Sequence, residues 1–395
     1  MATFLFAAVL AALPVEVQRL DGSTVDGPLT QLTAESVAVE AADGPATISL
    51  DKVASVSLKS PPQPSSVKPE VWTELNDGSK IVGTRYTAQN GQATVAAIGQ
   101  QTPLIVPTRA VRCVRLQAEN EALAAQWAKI LEGRGATDTL VTRKENNLDF
   151  HQGLVLDVTA DAVQFKVEEE VIPVKRTKVY GLIYGRTANE KLAAPAAIVF
   201  EASGSVWSAE SVVLTGENFR WTTPSGVSLS CPAASIARLD YSRGKIVYLS
   251  DQKPESSEWT PYLQFDKQPA SRVRYYEPRS DRNHAGDPLS LDGRGYKKGV
   301  SIHSRAVVVY RLPGEFSRFT AVAGIDDSVR PRGHVRLVIR GDDKVLFDAG
   351  IGGNDPPVPL DLDVRGARRL TILVDLGNGF DENDFLDLCD ARFVK

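Results

Sequence analysis

Apolar and polar residues alternate along the stretch from Val300 to Leu312. Every second position from Val300 is apolar or small, whereas the intervening positions include Ser301, His303 and Arg305. Alternation with a period of two residues is typical of a half-buried β-strand. The pattern therefore predicts one strand over 300–312, with His303 and Arg305 on its polar face.

Further alternating runs follow at short intervals, at 319–325, 335–339 and 370–376. Turn residues such as Pro313 and Gly314 separate them, and none of the runs has a helical period. Closely spaced strands without helices between them are typical of antiparallel architectures. The last third of the chain is therefore predicted to be an antiparallel β-sandwich or barrel.

A repeated pattern occupies the first part of the chain. The run LDGSTVDG at 20–27 recurs as LNDGSKIVG at 75–83, and weaker copies surround Gly153 and Gly204. Asp-Gly before an alternating run is tight-turn chemistry, because glycine accepts positive φ at no steric cost. Units of about 45 residues suit small SH3-like or Sm-like β-barrels, which bury little surface alone and so pack together. The units are predicted at 14–60, 69–117, 146–186 and 196–243.

One helix is predicted between the second and third units. Residues 119–131 read ENEALAAQWAKIL, and apolar positions recur at i, i+4 and i+7 from Leu123. Gly133 ends the pattern, and we assign 118–145 to a helix and connector. Its apolar stripe is interpreted as a packing surface or, alternatively, as a partner-binding face.

The first residues raise the question of export. Residues 4–13 read FLFAAVLAAL, a run too short to span a bilayer but suited to the core of a signal peptide. This predicts a signal peptide over 1–13 and export to the periplasm, the cell surface or the exterior. Residues 1–3 contain no Lys or Arg, so a first strand of the folded protein is the alternative.

Composition excludes several classes of function. The chain has 45 Lys and Arg against 49 Asp and Glu, so it lacks the basic footprint of a nucleic-acid-binding protein. Three cysteines, an odd number in separate strand-like runs, argue against a disulfide framework. The sequence has no nucleophile elbow, phosphate-binding glycine loop or HExxH motif, and its four histidines are scattered. These observations predict that the protein is not an enzyme.

Five motifs of the last 150 residues carry a resemblance to a known family. They are YKKGVSIHSRAVVVYRL, AVAGIDD, GHVRLVIRGDDKVLF, RRLTILVDLG and DENDFLDLCDARF. In this order they resemble the NPCBM domain, a carbohydrate-binding module found beside glycoside hydrolases. The resemblance covers residues 244–395. It implies a galactose-binding-like β-sandwich jelly roll that binds a glycan, of galactose type, and has no catalysis of its own.

One position departs from the family pattern. The family commonly ends on a motif of the form DxxDWxDA, whereas this chain has Leu388 where the aromatic residue is expected. Any packing or stacking by that ring is therefore lost here.

The candidate glycan-binding residues combine aromatic rings with charged groups. Sugars need a ring face for their C–H groups and directional partners for their hydroxyls. The candidates are Tyr275, Tyr276, Tyr296, His303, Arg305, Asp326, Asp327 and Arg330. Each also has a structural interpretation: a satisfied histidine, a ring that covers the core, a solvated loop, or a carboxylate that bonds turn amides. Loop residues rank above His303 because ligands usually meet loops at one end of such a sandwich.

A cluster of acidic residues near the C-terminus suggests calcium. Ca²⁺ takes six to eight oxygen ligands. Asp381, Asp384 and Asp387 are the candidate ligands, although their spacing is not that of an EF-hand loop and acidic turns are often only solvated.

Two functions from different classes follow. In the first, the protein is a non-catalytic carbohydrate-binding protein whose C-terminal sandwich binds a glycan through loop residues. In the second, it is a structural or protein-interaction module whose sandwich no longer binds sugar, an alternative that Leu388 favours.

Overall fold

The computed structural model describes residues 13–60, 62–185, 192–263, 270–312 and 314–395. The chain divides into two compact units, an N-terminal unit up to Arg243 and a C-terminal unit from Gly244 to Lys395. With 55% of residues in strands and 9% in helices, the protein is all-β, as the sequence predicted. The predicted signal peptide covers residues 1–13. Its first twelve residues lie outside the described residues, and only Leu13 is described.

The N-terminal unit begins with two five-stranded repeats. The strands of the first are β1 (Pro14–Arg19), β2 (Thr24–Leu32), β3 (Ser36–Ala41), β4 (Gly44–Ser49) and β5 (Val53–Leu58). The strands of the second are β6 (Val71–Leu75), β7 (Lys80–Gln89), β8 (Gln92–Ala97), β9 (Leu104–Pro107) and β10 (Val111–Arg115). Consecutive strands from β1 to β4 and from β6 to β9 pair antiparallel, and the last strand of each repeat returns to pair with the first.

Two further repeats follow a helix, α1 (Glu121–Glu132). The strands of the third repeat are β11 (Asp138–Lys144), β12 (Asn147–Val158), β13 (Ala162–Val167), β14 (Glu170–Lys175) and β15 (Val179–Ile183). Those of the fourth are β16 (Ala197–Glu201), β17 (Val206–Ala209), β18 (Ser211–Thr215), β19 (Asn218–Thr222), β20 (Ser228–Pro232) and β21 (Ile236–Asp240). Here too the last strand pairs with the first. The third repeat starts at Asp138. The sequence analysis had placed its start at residue 146 and had assigned 118–145 to the helix and connector.

The repeats share a local pattern and one core. A short 3-10 helix precedes the last strand of each repeat, at Leu50–Lys52, Thr108–Ala110, Arg176–Lys178 and Ala233–Ser235. β5 of the first repeat pairs with β21 of the fourth, and β10 of the second pairs with β15 of the third. A single apolar cluster contains buried residues from all four repeats, so each unit is completed by its neighbours.

The Asp-Gly turns form as the sequence predicted. In the first repeat the Asp21 carboxylate accepts the Ser23 amide at 2.9 Å, and in the second Asp77 accepts the Ser79 amide at 2.8 Å. The intervening Gly22 and Gly78 have φ of 91° and 87°, a region that favours glycine. A short carboxylate followed by glycine therefore produces the turn between the first two strands of the first and second repeats.

Helix α1 lies where the apolar stripe predicted a helix. The Asn120 side chain caps it by accepting the Leu123 amide at 2.9 Å, and the helix ends at Gly133. Leu123 and Trp127 are buried and pack with Cys113, Val141, Tyr180 and Ile183 of the second and third repeats. Its stripe is therefore a packing surface within the N-terminal unit.

The C-terminal unit is a two-layer β-sandwich. Its elements are β22 (Ile246–Tyr248), β23 (Ser256–Trp259), α2 (Ala270–Tyr275), β24 (Arg279–Ser280), β25 (Leu289–Leu291), β26 (Arg294–Tyr296), β27 (Gly299–His303), β28 (Ala306–Arg311), β29 (Arg318–Ile325), β30 (His334–Gly341), β31 (Lys344–Gly352), β32 (Val358–Asp363), β33 (Arg369–Leu376) and β34 (Phe385–Val394). One sheet has the order β24-β27-β34-β29-β32, with β22 also on β34, and the other has the order β23-β28-β33-β30-β31. The buried core contains residues from both sheets.

The predicted strand over 300–312 is in fact two strands. β27 ends at His303 in one sheet, and β28 begins at Ala306 in the other. β28 keeps the predicted alternation, but every residue of β27 is buried, including Ser301 and His303. The polar face predicted for His303 was therefore wrong, because β27 is covered on both faces and the chain crosses between the layers directly after it.

Leu388 lies in the core. It is fully buried, and in the register it stands beside Val300 and Ala323 on the two neighbouring strands. The residue at this position fills the interior, so its replacement of an aromatic ring changes core packing and removes no exposed stacking face.

No helix among the described residues is long and apolar enough to cross a membrane.

Candidate functional site

Aromatic and imidazole rings gather at one end of the sandwich. We call them the aromatic cluster, which comprises Trp259, Tyr275, Tyr276, His284, His303 and Phe385. His303 ends β27, Trp259 ends β23, and Phe385 begins β34 opposite His303 in the register. Strand ends from both sheets therefore meet at one end of the sandwich. The sequence analysis predicted that a ligand binds at such an end.

The rings are in direct contact. Tyr276 stacks on Trp259 with a centroid distance of 4.5 Å and lies 4.2 Å from His303. Tyr275 stands edge-on to Tyr276 at 4.9 Å. Tyr276 is half-buried and Tyr275 is 46% exposed, so the tyrosines form the surface of the cluster and the histidines lie beneath them.

Both histidines are buried and neutral at pH 7. Burial lowers the pKa of His284 to about 4, with a further contribution from His303, and burial also lowers the pKa of His303. Nδ1 of His284 lies 3.3 Å from the Ser301 hydroxyl. Among the described residues, His284 Nε2 and His303 Nδ1 make no hydrogen bond of good geometry. Backbone groups of Glu277 near His284, and of Ser304 and Asp381 near His303, still oppose the lowering of the pKa of each ring.

The turn after β29 contrasts with the cluster. We call Asp326–Arg330 the acidic turn. Asp326 is fully buried, and its Oδ1 accepts Asn283 Nδ2 at 3.1 Å and the Ser328 amide at 3.0 Å, together with the Ser328 hydroxyl. Asp327 accepts the amides of Asp292 at 2.8 Å and Gly293 at 2.9 Å. These carboxylates hold the turn and the neighbouring β25–β26 hairpin in place.

Arg330 is held by the same region. Its guanidinium lies 3.6 Å from the Asp292 carboxylate and 3.9 Å from that of Asp327, and it donates to the Asp355 carbonyl at 3.3 Å. The Arg330 side chain is therefore engaged by other groups of the protein.

A second carboxyl group is buried close to Asp326. Asp387 is fully buried on β34, and its neighbours in the register are Ser301 on β27 and Gly324 on β29. Burial raises the pKa of Asp387 well above its usual range, and the adjacent Asp326 raises it further. Burial beside another carboxyl group therefore favours the protonated form of Asp387.

The remaining candidates lie apart from both groups. The Tyr296 ring is buried with Leu289, Leu291 and Cys389, and Arg294 lies 5.0 Å from its centroid. Arg305 pairs with Asp375 at 3.2 Å on an exposed surface. Of the eight predicted residues, Tyr275, Tyr276 and His303 are thus in the aromatic cluster, and Asp326, Asp327 and Arg330 are in the acidic turn.

The three carboxylates proposed as calcium ligands make different contacts within the protein. Asp384 accepts the Ser304 hydroxyl at 2.7 Å and the His334 amide at 2.9 Å, while Asp387 faces Asp326. Asp381 is half-buried and belongs to neither arrangement. Within the described residues, no group of three or more His, Cys, Asp or Glu is placed to hold a metal ion. Calcium binding stays a prediction.

Three members of the cluster were missed from the sequence. No strand was predicted around Trp259, yet Ser256–Trp259 pairs with β28 as an edge strand. His284 and Phe385 are 101 residues apart in the chain and meet at 4.7 Å only because β34 returns beside β27. The signal available in the sequence was Trp259 followed by the tyrosines at 262, 275 and 276.

A comparison with known families identifies the domain type of the C-terminal unit. Residues 245–394 match the NPCBM/NEW2 domain family, so the C-terminal unit is an NPCBM/NEW2 domain, as the sequence resemblance predicted. A curated protein of Renibacterium salmoninarum, provisionally named an endo-alpha-N-acetylgalactosaminidase, is 28% identical over 110 residues, which is 28% of this chain and 7% of that protein. The matched stretch thus spans a small fraction of the relative.

Solved structures are also similar in part. CBM51 from Clostridium perfringens GH95, in complex with methyl-galactose, is 21% identical, with 38% of this chain and 99% of that chain covered and a TM-score of 0.33. The tandem CBM51 modules of Sp3GH98, a family 98 glycoside hydrolase from Streptococcus pneumoniae, are 11% identical, with 96% and 88% covered and a TM-score of 0.31.

Proposed function

We propose that this protein binds a glycan through the aromatic cluster of its C-terminal unit and catalyses no reaction there. The observation that carries the proposal is a pair of accessible tyrosine rings above two buried neutral histidines, in a domain of the NPCBM/NEW2 family. Tyr275 and Tyr276 offer ring faces to the C–H groups of a sugar, and the rings are held by stacking on Trp259 and His303.

The electrostatics of the cluster suit an uncharged sugar. Neutral imidazole nitrogens donate or accept a hydrogen bond depending on the tautomer, as a hydroxyl ligand requires. Two cations act on the cluster: Arg272, whose guanidinium carbon lies 5.8 Å from the Trp259 ring, and Arg279, which lowers the pKa of His284. The carboxylates of Asp381, near His303, and Asp326, near His284, act with the opposite sign. With the charges balanced, a neutral pyranose of galactose type is the expected ligand, as the family resemblance implies.

The buried carboxyl pair supports a role without catalysis. Glycoside hydrolysis needs two carboxyl groups on either side of the scissile bond, about 5–9.5 Å apart across an accessible cleft. Asp326 and Asp387 instead lie next to each other, and both are fully buried. Both carboxyl groups lie in the interior of the sandwich, which a glycosidic bond cannot reach.

The test is binding of the full chain to a glycan array, with Tyr276→Ala as the probing variant and Tyr248→Ala as its control. Tyr248 is also half-buried, but it pairs near the far end of β34, seven residues or about 24 Å from Phe385. We expect Tyr276→Ala to lose at least about tenfold in affinity, or about 1.4 kcal/mol, and Tyr248→Ala to bind like the wild type. Equal loss in both variants contradicts the proposal.

A structural or protein-interaction role is the alternative from the other class. It predicts a blank array for a folded wild-type chain and retention of a protein partner by the same chain. Leu388 no longer favours this alternative, because its side chain belongs to the core.

We further propose that the four repeats are small barrels of the SH3-like or Sm-like kind, bounded at about 14–60, 69–117, 138–186 and 196–243, and serve as a spacer or second binding surface. The pairing of first and last strands and the 3-10 helix before the last strand support this. Export by way of residues 1–13 also stays a proposal. Cell fractionation with and without those residues tests it: equal retention in the cytoplasm contradicts it.

A further inference from the structure

A second pair of aromatic rings lies in the segments that border the aromatic cluster. We call Tyr262 and Phe380 the outer pair: their ring centroids are 4.8 Å apart, and the rings are tilted by 56°. Among the described residues of the C-terminal unit, the large apolar side chains that are exposed are Tyr262, Leu263, Val273, Tyr275, Val345 and Phe380. All except Val345 lie just after Trp259, on α2, or in the loop between β33 and β34. Exposed apolar surface is therefore concentrated around the cluster.

Tyr262 follows a stretch of chain that is anchored beside the cluster. Trp259 Nε1 donates to the Ser304 carbonyl at 2.9 Å. The Thr260 amide donates to the Arg305 carbonyl at 2.8 Å. Tyr262 is three residues from Trp259, a stretch that spans at most about 11 Å when fully extended. The backbone therefore holds Tyr262 close to the cluster.

Phe380 precedes a residue that borders the cluster. Burial raises the pKa of Tyr276, and the Asp381 carboxylate contributes to this rise. The same carboxylate opposes the lowering of the His303 pKa by burial, and a backbone group of Asp381 lies near the His303 ring. The Cα atoms of Phe380 and Asp381 are about 3.8 Å apart. The outer pair and the aromatic cluster are therefore adjacent at one end of the sandwich.

The backbone of Phe380 is unusual for a residue of its size. Its φ is 68°, in the left-handed region that bulky side chains rarely adopt. The preceding Gly379 has a φ of 96°, which glycine adopts without strain. Burial does not compensate for the strain at Phe380, because its side chain is 62% exposed. Strained residues concentrate at functional sites, so a strained backbone that presents an aromatic ring to solvent indicates a role for the ring in binding.

A carboxylate lies next to the outer pair. Asp381 is half-buried, and none of the hydrogen bonds or ion pairs of the described residues uses its carboxylate. An ionised carboxylate accepts hydrogen bonds from hydroxyl groups on both of its oxygens. Ring faces for C–H groups and directional acceptors for hydroxyls are the two features that a sugar requires of its site.

We propose that Tyr262, Phe380 and Asp381 form a second subsite, which binds the sugar unit next to the one on Tyr275 and Tyr276, so that the preferred ligand is an oligosaccharide. The outer rings stack on the C–H groups of this second sugar, and the Asp381 carboxylate accepts one of its hydroxyls. The inference rests on the function proposed above for the aromatic cluster.

A protein partner is the less suitable occupant of this surface. An aromatic side chain buries at most about 250 Å², and Tyr262, Tyr275 and Phe380 are about half exposed, so their rings together offer roughly 400 Å². A stable protein interface takes about 800 Å² from each partner. The exposed rings therefore suit one or two sugar units better than a protein interface.

Calorimetric titration of the full chain with two probes tests the proposal: methyl galactoside, and the galactose-terminated trisaccharide that binds best on the glycan array. We expect the trisaccharide to bind at least about tenfold more tightly. Phe380→Ala should weaken trisaccharide binding severalfold more than methyl galactoside binding, whereas Tyr276→Ala weakens both. Val345→Ala removes another exposed apolar side chain, on β31, and should leave both affinities unchanged.

Two further variants separate binding from folding. Phe380→Gly relieves the backbone, because glycine adopts this φ without strain. We expect this variant to unfold at or above the wild-type Tm and to lose trisaccharide affinity as Phe380→Ala does. Phe380→Tyr retains a ring and should bind the trisaccharide like the wild type.

The other outcomes are distinct. Equal affinities of the wild type for the two probes, both reduced in Tyr276→Ala, overturn the second subsite and leave the first intact. Absence of binding to either probe overturns the first subsite as well. Wild-type affinity of Phe380→Ala for the trisaccharide, together with a dimer on gel filtration that this variant loses, assigns the surface to a second copy of the chain and overturns the inference.

Discussion

The aromatic cluster and the acidic turn lie at the same end of the sandwich, yet they differ in what they present to a ligand. In the acidic turn, Asp326 Oδ1 and Asp327 accept hydrogen bonds from side chains and amides of neighbouring segments, whereas the buried Asp326 Oδ2 has no partner among the described residues. The aromatic cluster presents the exposed ring of Tyr275 beside the half-buried ring of Tyr276. A polar group that the fold satisfies stabilises the fold, and an accessible ring can stack on a sugar. We therefore propose that the turn serves stability and that the cluster serves binding.

Among the substitutions at neutral pH, removal of the Asp326 carboxylate has the largest expected effect on stability. Asp326→Ala leaves Asn283 and Ser328 without their acceptor inside the sandwich. We expect a loss of about 2 kcal/mol, which lowers the Tm of the C-terminal unit by about 5 °C. Calorimetry checks this, with Asp343→Ala in an exposed turn as the control. Asp326→Asn retains an acceptor and should stay near the wild type; an equal Tm for Asp326→Ala would remove the structural role.

Loss of a ring from the aromatic cluster should reduce glycan affinity more than it reduces stability. Tyr276→Ala removes a half-buried ring, so it should cost less than about 1 kcal/mol of stability while glycan affinity falls at least about tenfold. Binding and thermal unfolding measured on the same sample separate the two effects. A variant that unfolds as readily as Asp326→Ala and binds as well as the wild type would reverse the assignment.

The buried histidines predict a dependence on pH. The pKa of His284 is lowered to about 4 in the folded state, so between about pH 6.5 and pH 4 the unfolded chain binds the extra proton. Stability of the C-terminal unit should therefore fall as pH falls through this window, by up to about 3 kcal/mol. Hydrogen exchange resolved by segment measures it. His284→Gln should flatten the profile, and His151→Gln in the N-terminal unit should not.

Asp387 acts in the other direction. Its raised pKa means that the folded state holds the proton more tightly, so its contribution to stability is present below the ordinary pKa and is lost as pH rises through the folded pKa. Asp387→Asn should remove this loss at high pH. A profile for Asp387→Asn that matches the wild type at every pH above the ordinary carboxyl pKa would show that the pKa of Asp387 is not raised.

Calcium has the smallest expected effect. Two of its three candidate ligands are engaged, Asp384 by Ser304 and His334 and Asp387 by Asp326. Addition of a chelator is therefore expected to change Tm by less than about 1 °C. A rise of several degrees on adding calcium would indicate a bound ion, because a ligand that binds only the folded state raises stability.

Local sequence patterns predicted much of the fold but less of the site. Alternation identified β28, β29, β30 and β33, and the Asp-Gly turns and the helix followed from short-range chemistry that involves few residues. The crossing between sheets after His303 could not be seen, because alternation continues through it. The cluster depends on contacts between distant segments, such as His284 with Phe385, and these come from the strand order.

The most direct test of the account is a crystal structure of the full chain with a bound methyl galactoside, a neutral pyranose. The account predicts the sugar ring against Tyr275 and Tyr276, with a hydroxyl within about 3.2 Å of a histidine nitrogen. A sugar bound instead on Asp326, Asp327 or Arg330, with the tyrosines free, would contradict it.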